Sequence, residues 1–356
     1  MARKDHWTKF VTAAQAGEAP CVVTTDIAPA AYNGYIMSIE DLWNAEPDEF
    51  KAGWSDDILS GVRFDGEMYG LPTYGGIYGE IYNRDLVEAA GLDPNDPPET
   101  FAEYKTWAEA LSGDGQWATV ILGGPTDTTT RILLSWIYAN GGQPFNDEMT
   151  ESRFAKDPKS LEAIKTYLGM EAAGLAAPGA TTTNYLEQTN LFAQGKIATM
   201  RNAFWGIAKV VGDNPALEGK LFVAMPPHGE GEAPATVARQ GSVAISAGCE
   251  HPEAAWEFIK FDAQAKYAIE RALKANFMPL RNDLADAPEV ADNEMLSKFL
   301  RIGQSAIAYP PAHPYWEDIA SGDLVEAVQA ALLDPDRTEE IFTELDEKLT
   351  EKLNDI

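Results

Sequence analysis

The chain has 356 residues, of which 45% are hydrophobic and 23% charged, and 56 acidic against 27 basic residues give a net charge of −29. A chain of this length and composition can bury a core without disulfides or metals and typically forms two domains, which excludes disorder of the whole chain. So negative a surface repels phosphate groups, which argues against a nucleic acid or an anionic membrane as the partner.

Helical and strand-like patterns alternate along the chain. Apolar residues at helical spacing, with Pro near the start and Gly past the end, predict helices, and short β-rich runs predict strands. This alternation favours an α/β fold with mainly parallel sheets. In chain order we expect a helix at 7–14, a strand at 21–25, a helix at 101–111, a strand at 118–121, a helix that begins at Pro158 and ends before Gly174, strands at 197–200, 221–224 and 242–245, a helix from Pro252 and a last helix from Thr338.

Turns, cysteines and the N-terminus give three further expectations. The segments 73–79 and 239–242 carry turn signals, the first of them through its glycines. Cys21 and Cys249 lie far apart in the sequence, so one disulfide is possible but two free thiols are favoured. The first six residues have a basic start without an apolar stretch, so a signal peptide is expected to be absent from this chain.

Signatures of catalysis and of metal binding are mostly missing from the sequence. Gly195-Lys196 and Gly219-Lys220 are not followed by the Ser or Thr of a phosphate-binding loop, and no GxSxG nucleophile motif occurs. The four histidines have no ligand spacing, so we expect no zinc site. Paired acids such as Asp65 and Glu67 arise by chance among 56 carboxylates. We therefore expect no catalytic residue, no metal and no cofactor.

Aromatic residues beside Gly, Pro or Asn are the most informative feature of the sequence. Tyr74, Trp205 and the pair Tyr315-Trp316 stand in such positions. A sugar presents flat C–H faces and a rim of hydroxyls, which aromatic rings and planar Asp, Asn and Arg side chains complement. The tryptophans on helical apolar stripes are expected in the core instead: Trp107, Trp136 and Trp256.

Five passages in family order then carry a resemblance that covers nearly the whole chain. The second contains DGEMYGLP, IYNRDL and AAGL, and the fourth reads PEAAWEFIKF. The chain resembles the extracellular solute-binding proteins of ABC importers, in the sugar-binding family that includes the maltodextrin-binding proteins. It departs from the family pattern at Cys21, where Asp is usual, and at Thr199, where Met is usual. The five passages are residues 10–23, 65–92, 192–199, 252–261 and 278–281.

The resemblance implies an α/β, two-lobed periplasmic-binding-protein-like fold, with a ligand cleft between the lobes and a hinge of crossing strands. The N-terminal lobe would comprise residues 1–76 and 242–286, and the C-terminal lobe residues 77–241 and 287–356. Family members begin with a strand, a long helix and a second strand before the helix that opens this chain. The resemblance therefore also implies that the N-terminal lobe lacks its first strand and helix.

The resemblance further implies a binding protein and not an enzyme. It would bind a sugar or oligosaccharide by aromatic stacking and hydrogen bonds, close around it, and deliver it to a membrane permease. Its location would be outside the cytoplasm, in the periplasm or as a cell-surface lipoprotein. The ligand-binding positions that the resemblance suggests are Thr25, Asp26, Tyr74, Thr128, Arg131, Asn202, Trp205, Arg239, Gln240 and Trp316.

Two alternatives stay open at this point. A carbohydrate-active hydrolase on a similar scaffold would turn over a glycoside, whereas a binding protein would be stabilised by its ligand without turnover. Within the binding class, the solute could instead be a polyamine or a phosphate ester. A phosphate ester needs a basic cluster, and only Arg131 and Arg239 are placed to supply one.

Overall fold

A computed structural model describes residues 3–355, so Met1 and Ala2 of the basic start lie outside the described residues. Short 3-10 turns occur between several of the main elements, and one π-helical turn spans Ile319–Asp323. The α-helices, in chain order, are α1 (Arg3–Gln15), α2 (Ile27–Tyr32), α3 (Glu40–Asn44), α4 (Asp48–Lys51), α5 (Asp56–Leu59), α6 (Arg84–Ala89), α7 (Phe101–Leu111), α8 (Asp127–Ala139), α9 (Pro158–Ala172), α10 (Tyr185–Ala193), α11 (Phe204–Asp213), α12 (Pro252–Asp262), α13 (Ala265–Ala275), α14 (Pro288–Ala291), α15 (Glu294–Gly303), α16 (Trp316–Asp318), α17 (Leu324–Leu333) and α18 (Thr338–Leu353).

The strands confirm most of the predicted β-runs but shift some of their ends. Residues 221–224 form a strand as predicted, and the run at 242–245 is the second half of a longer strand. The run at 197–200 begins two residues later and extends to Ala203. The strands are β1 (Val22–Thr25), β2 (Arg63–Phe64), β3 (Glu67–Met68), β4 (Gly70–Asn83), β5 (Thr119–Val120), β6 (Ala176–Ala177), β7 (Thr199–Ala203), β8 (Leu221–Ala224), β9 (Thr236–Ile245) and β10 (Ala306–Tyr309).

Capping residues explain where several predicted helices begin. At α7, the Thr100 hydroxyl accepts a hydrogen bond from the Glu103 N–H (3.3 Å), and the Glu103 carboxylate accepts one from the Thr100 N–H (3.0 Å). At α9, Asp157 accepts a hydrogen bond from the Ser160 N–H, and Pro158 is the first helical residue. These contacts satisfy N–H groups that have no partner within the helix. The predicted helices near 7, 101, 158, 252 and 338 are confirmed by α1, α7, α9, α12 and α18.

The largest sheet is built on β4 and β9, which pair antiparallel from Gly70 with Ala244 to Ile77 with Ala238. β1 adds antiparallel to β9, and β7 and β8 add antiparallel to the second half of β4. The prediction of mainly parallel sheets is therefore wrong for this sheet, because the chain returns along β9 to pair with β4 directly. Parallel pairing joins β5 to β6.

Two segments that were predicted as turns lie inside these long strands. A Cβ atom added at Gly75 in β4 would come within 2.2 Å of the Arg239 carbonyl oxygen in β9. A Cβ atom at Gly241 in β9 would meet the Tyr74 ring at 2.3 Å. The glycines of 73–79 and 239–242 thus permit a close approach of two strands, which is the other common meaning of glycine in a β-segment.

The chain groups into two compact units. It passes from one to the other within β4, within β9 and after Trp316. Residues 287–316 group with the first unit, whereas the sequence assigned them to the C-terminal lobe. The reason is that β10, inside this segment, pairs with β9. The first unit comprises Met1–Ile77 and Ala238–Trp316, and the second comprises Tyr78–Val237 and Glu317–Ile356.

The core of the first unit contains an aromatic cluster. Trp54 lies edge-on to Trp43 and Phe50, with ring centroids 6.2 and 5.3 Å away, and Phe50 also contacts Trp256. The Trp54 indole N–H donates to the Pro72 carbonyl oxygen of β4 (3.0 Å). Edge-on aromatic pairs add to the stabilisation that burial of their surface provides.

The core of the second unit surrounds a buried ion pair. Arg201 of β7 donates to Glu80 of β4 (3.0 Å), and both side chains are at most 2% exposed. The Arg201 guanidinium lies 4.4 Å from the centre of the Trp136 ring, which stacks on Tyr167. Burial raises the pKa of Glu80, while Arg201 acts in the opposite direction. The predicted core positions of Trp107, Trp136 and Trp256 are confirmed, since each is at most 9% exposed.

Cys21 and Cys249 form a disulfide within the first unit, so the prediction of two free thiols is wrong. Their Cα atoms lie 4.6 Å apart although 228 residues separate them. Strand register brings them together: Val22 pairs with Ile245, and the next residue, Ser246, donates its N–H to the Cys21 carbonyl (2.9 Å). The Cys249 N–H then donates a hydrogen bond to the Ser246 carbonyl oxygen (3.0 Å), so the chain turns back at this point. Sequence spacing contains no information about such a register.

Candidate functional site

Trp205 lies at the start of α11, directly after β7 in the second unit. β7 pairs with β4 so that Ala203 faces Tyr78, and the helix begins at the following residue. The Trp205 ring is half-buried and meets the Tyr78 ring edge-on, with centroids 6.1 Å apart and an interplanar angle of 83°. A strand end and a helix start therefore fix the position of the predicted stacking residue.

Arg131 approaches the same tyrosine from α8. Its Nη1 donates to the Tyr78 hydroxyl (2.6 Å), and its guanidinium carbon lies 5.6 Å from the centre of the Tyr78 ring. Its Nη2 forms an ion pair with Asp127, one helical turn earlier on α8. We call Tyr78, Asp127, Arg131 and Trp205 the Tyr78 cluster. Two of its members, Arg131 and Trp205, are predicted site residues that the structure brings to one tyrosine.

The remaining predicted residues of the second unit lie close to these two in sequence. Thr128 is half-buried in the first turn of α8. Asn202 is 1% exposed in β7, where its amide donates to Gln188 (2.9 Å) and its Oδ1 accepts from the Ala203 N–H (2.8 Å). Asn202 therefore joins α10 to the end of β7, which supports the backbone on which Trp205 stands.

Four predicted residues of the first unit lie along β1 and β9. Thr25 is the last residue of β1 and pairs with Ser242 of β9, and Asp26 follows it at the start of α2. Arg239 of β9 forms an ion pair with Asp26, with 3.7 Å between Nη2 and Oδ1. Gln240 is 3% exposed, and its amide donates to the Ile58 carbonyl of α5. Thr25, Asp26 and Arg239 are thus brought to one end of the β1–β9 pair.

Two aromatic predictions of the first unit fall in different surroundings. Tyr74 is half-buried in β4, edge-on to Phe277 (5.5 Å between centroids) and 5.4 Å below the Arg271 guanidinium carbon. Trp316 is 4% exposed at the start of α16 and lies edge-on to Tyr309 (5.8 Å). Trp316 is thereby part of the core of the first unit.

Sequence reasoning missed two members of the Tyr78 cluster and a neighbour. Tyr78 stands in a stretch that was interpreted as a turn, and Asp127 is one acidic residue among many. The signal that could have found Asp127 is its position four residues before Arg131, the spacing of a helical ion pair. Tyr185, the first residue of α10, has its pKa raised to about 12, first by burial and then by the neighbouring Tyr78.

The electrostatics of the candidate residues are balanced. The guanidinium of Arg131 is paired with Asp127 and that of Arg239 with Asp26, so neither arginine lacks a counter-charge. Over residues 3–355, no group of three or more His, Cys, Asp or Glu side chains is arranged to hold a metal ion. None of the helices in the same range combines the length and the apolar character needed to cross a membrane.

Comparison with known proteins identifies the family. The sequence pattern described as bacterial extracellular solute-binding protein matches residues 4–269 of this chain. The chain belongs to this family. A binding protein of Brucella abortus (strain 2308) is 30% identical to this solute-binding protein over 316 residues, which span 84% of this chain and 74% of the relative.

Solved structures agree in fold. An ABC-transporter solute-binding protein of Thermotoga lettingae, bound with α-D-tagatose, superposes with a TM-score of 0.80 at 26% identity over 99% of this chain and 90% of that chain. The sugar-binding protein MalE of Xanthomonas citri superposes with a TM-score of 0.86 at 20% identity over 99% of this chain and 88% of that chain. The expected periplasmic-binding-protein fold is thereby confirmed. This solute-binding protein is the solute-binding component of an ABC transporter and not an enzyme.

Proposed function

We propose that the solute is a sugar or an oligosaccharide and that the protein delivers it to the membrane permease of its ABC importer. The Tyr78 cluster is the observation that carries this proposal. It presents a half-buried indole beside a guanidinium and a carboxylate within one unit. An aromatic face next to planar hydrogen-bonding groups suits a ring with apolar faces and a hydroxyl rim.

The charge balance supports a neutral ligand. Asp127 and Asp26 each neutralise one of the two arginines among the predicted site residues. A phosphate ester needs a net positive site, and a polyamine needs a net negative one. A site of paired charges offers both donors and acceptors without net charge, as sugar hydroxyls require.

The family comparison supports the same class of ligand. The Thermotoga lettingae protein, 26% identical, is bound with a monosaccharide, α-D-tagatose. The ligand-contact roles of Thr25, Asp26, Tyr74 and Arg239 stay predictions, as does the cleft that the resemblance implies. So do those of the other predicted site residues: Thr128, Arg131, Asn202, Trp205, Gln240 and Trp316.

We further propose that the protein acts outside the cytoplasm, in the periplasm or as a cell-surface lipoprotein. The disulfide between Cys21 and Cys249 supports this location, because disulfides form and persist in oxidising compartments and are rare in the cytosol. A transport role outside the cytoplasm also fits the large negative charge, which keeps a protein monomeric and in solution.

A thermal-shift screen with a panel of neutral mono- and oligosaccharides, including D-tagatose and maltooligosaccharides, tests the proposal. We expect at least one sugar to raise the melting temperature in a concentration-dependent way, because a ligand that binds only the folded state stabilises it. Putrescine and glucose 6-phosphate represent the polyamine and phosphate-ester alternatives. Stabilisation by either of these and by no neutral sugar would contradict the proposal, and turnover of a chromogenic glycoside would favour the hydrolase alternative.

A further inference from the structure

Helix α12 of the first unit is apolar on two opposite faces. Its inner face is buried and consists of Ala255, Trp256 and Ile259. Its outer face carries three exposed apolar side chains at positions i, i+4 and i+7, which lie on one side of a helix. A helix that is apolar all round is normally buried, so this outer face has the composition of a contact surface. We call it the α12 ridge: Ala254, Phe258 and Phe261.

Large exposed apolar side chains are concentrated in this part of the chain. Among the residues that the structure describes, seven large hydrophobic side chains are exposed, and four of them lie between positions 258 and 277. Phe258 and Phe261 are 56% and 47% exposed, Leu273 is exposed on α13, and Phe277 is exposed just beyond its end. The Phe261 ring contacts Tyr267 of α13, with 4.4 Å between centroids. Single exposed apolar residues are ordinary, whereas a group of them marks an interaction surface.

The same stretch differs in charge from the rest of the chain. Residues 252–281 contain five basic and four acidic residues, whereas the whole chain contains 27 and 56. The stretch therefore carries one net positive charge in a protein whose net charge is −29. Beside the ridge, Lys260 pairs with Glu46 and with Glu257, each at 2.7 Å between charged atoms. The exposed apolar side chains thus lie in a stretch without the negative surplus of the remaining chain.

This difference in charge indicates the kind of partner. The permease of an importer presents to its binding protein the loops on the outer side of a membrane. Membrane proteins carry their excess of Lys and Arg on the cytoplasmic side, so outer loops offer little positive charge. A surface with a large negative surplus gains little attraction from such loops, and like charges brought together are costly. A face with balanced charges and exposed aromatic rings avoids that cost and supplies apolar anchors.

We infer that the α12 ridge is the surface by which this protein docks on the permease of its importer. The inference rests on the proposed function. Phe258 and Phe261 insert into an apolar groove of the permease, and acidic groups of its outer loops lie beside Lys266, whose ammonium is 5.5 Å from the centre of the Tyr267 ring. Because the contact is mainly apolar, docking does not weaken as the salt concentration rises.

The experiment uses proteoliposomes that hold the permease and the ATPase of the importer. ATP hydrolysis is measured against the concentration of the protein, loaded with a sugar that stabilises it in the thermal-shift screen. Phe258→Gln/Phe261→Gln removes the aromatic rings without adding charge, and glutamine favours a helix. Phe258→Leu/Phe261→Leu keeps the ridge apolar. Leu333→Gln is the matched control, because Leu333 is 78% exposed at the end of α17 in the second unit.

The expected result is a loss of docking with no loss of sugar binding. For Phe258→Gln/Phe261→Gln, the concentration that gives half-maximal ATP hydrolysis should rise about tenfold or more, since aromatic anchors dominate the affinity of interfaces. The leucine variant should stay within about threefold of the wild type, and Leu333→Gln should not differ from it. Calorimetric titration with the same sugar should give one affinity for all four proteins. For the wild type, the half-maximal concentration should not rise between about 0.05 and 0.5 M NaCl.

Other results separate this inference from the proposed function. If Phe258→Gln/Phe261→Gln stimulates the importer as well as the wild type does, the docking surface is refuted while sugar binding and delivery stand. Docking that weakens with added salt also refutes an apolar contact. Wild-type protein that binds a sugar and never stimulates its importer overturns the proposed delivery together with this inference.

Two further measurements address other occupants of the ridge. Vesicles of phosphatidylethanolamine and phosphatidylglycerol without the importer test a lipid surface, and sedimentation equilibrium tests a second copy of this chain. Vesicle binding by the wild type that Phe258→Gln/Phe261→Gln loses would assign the ridge to lipid. A wild-type dimer that this variant converts to a monomer would assign it to self-association. Either result overturns the inference, and a monomeric wild type that ignores the empty vesicles supports it.

Discussion

Trp205 is the largest apolar group of the Tyr78 cluster, and its contribution to binding can be measured alone. Removing the indole in Trp205→Ala should weaken binding of the cognate sugar by about 1–3 kcal/mol, because a stacked ring buries apolar surface on both partners. Calorimetric titration measures this loss. Trp205→Phe should retain part of the affinity, since a smaller ring stays at the start of α11. Unchanged affinity in Trp205→Ala would show that the sugar binds elsewhere.

The residues of the Tyr78 cluster were predictable from the sequence to different degrees. Trp205 and Arg131 could be found because they stand at positions that the family motif marks in the sequence. Tyr78 could not, because its role depends on Arg131 and Trp205, which lie 53 and 127 positions further along the chain, both contacting one ring. Such a role arises from tertiary packing alone.

At the scale of elements, the pairing of β4 with β9 depends on glycine. Gly75→Ala should destabilise the fold by about 1–3 kcal/mol, because the new Cβ would lie 2.2 Å from the Arg239 carbonyl oxygen and the strands must separate. Gly169→Ala is the control: it lies inside α9, and beyond the neighbouring backbone of that helix no atom lies within 4 Å of the added Cβ. That change should stabilise the protein by about 0.5–1 kcal/mol, since alanine favours a helix.

Chemical denaturation of both variants measures the two changes in the free energy of unfolding. A Gly75→Ala protein as stable as the wild type would mean that β4 and β9 are not so closely paired. If Gly169→Ala lowers the free energy of unfolding by a similar amount, then the loss in Gly75→Ala is a general effect of replacing glycine and does not report the contact between the strands.

Helices and strands that are marked by residues close to them in the sequence were predicted well. Elements without such local signals were missed. The start of α7 follows from Thr100 and Glu103, and that of α9 from Asp157 and Pro158, because caps act within one turn. β4 shows no alternation of buried and exposed residues, since all of its residues but Tyr74 are buried. Its glycines therefore resembled a turn until its partner strand was known.

The disulfide acts on the molecule as a whole, because it joins positions 228 residues apart. Replacing both cysteines in Cys21→Ser/Cys249→Ser should lower the free energy of unfolding by about 2–4 kcal/mol, since the unfolded chain gains freedom when a long loop opens. Denaturant titration with and without a reductant measures the effect. The reductant should lower the stability of the wild type to that of the variant and leave the variant unchanged. Equal stability of oxidised wild type and variant would contradict this expectation.

The order of the strands along the chain also determines the order in which the first unit can assemble during synthesis. Synthesis proceeds from the N-terminus, so β1 and the first half of β4 are made long before β9, the strand that pairs with both. While residues Tyr78–Val237 are being synthesised, β1 and the first half of β4 do not yet have β9 to pair with. Their exposed strand edges can then pair with other chains and aggregate. Cys249 comes shortly after the end of β9, so its disulfide with Cys21 can form only after β9 has been synthesised. The bridge is therefore a chemical record that β9 has paired with β1.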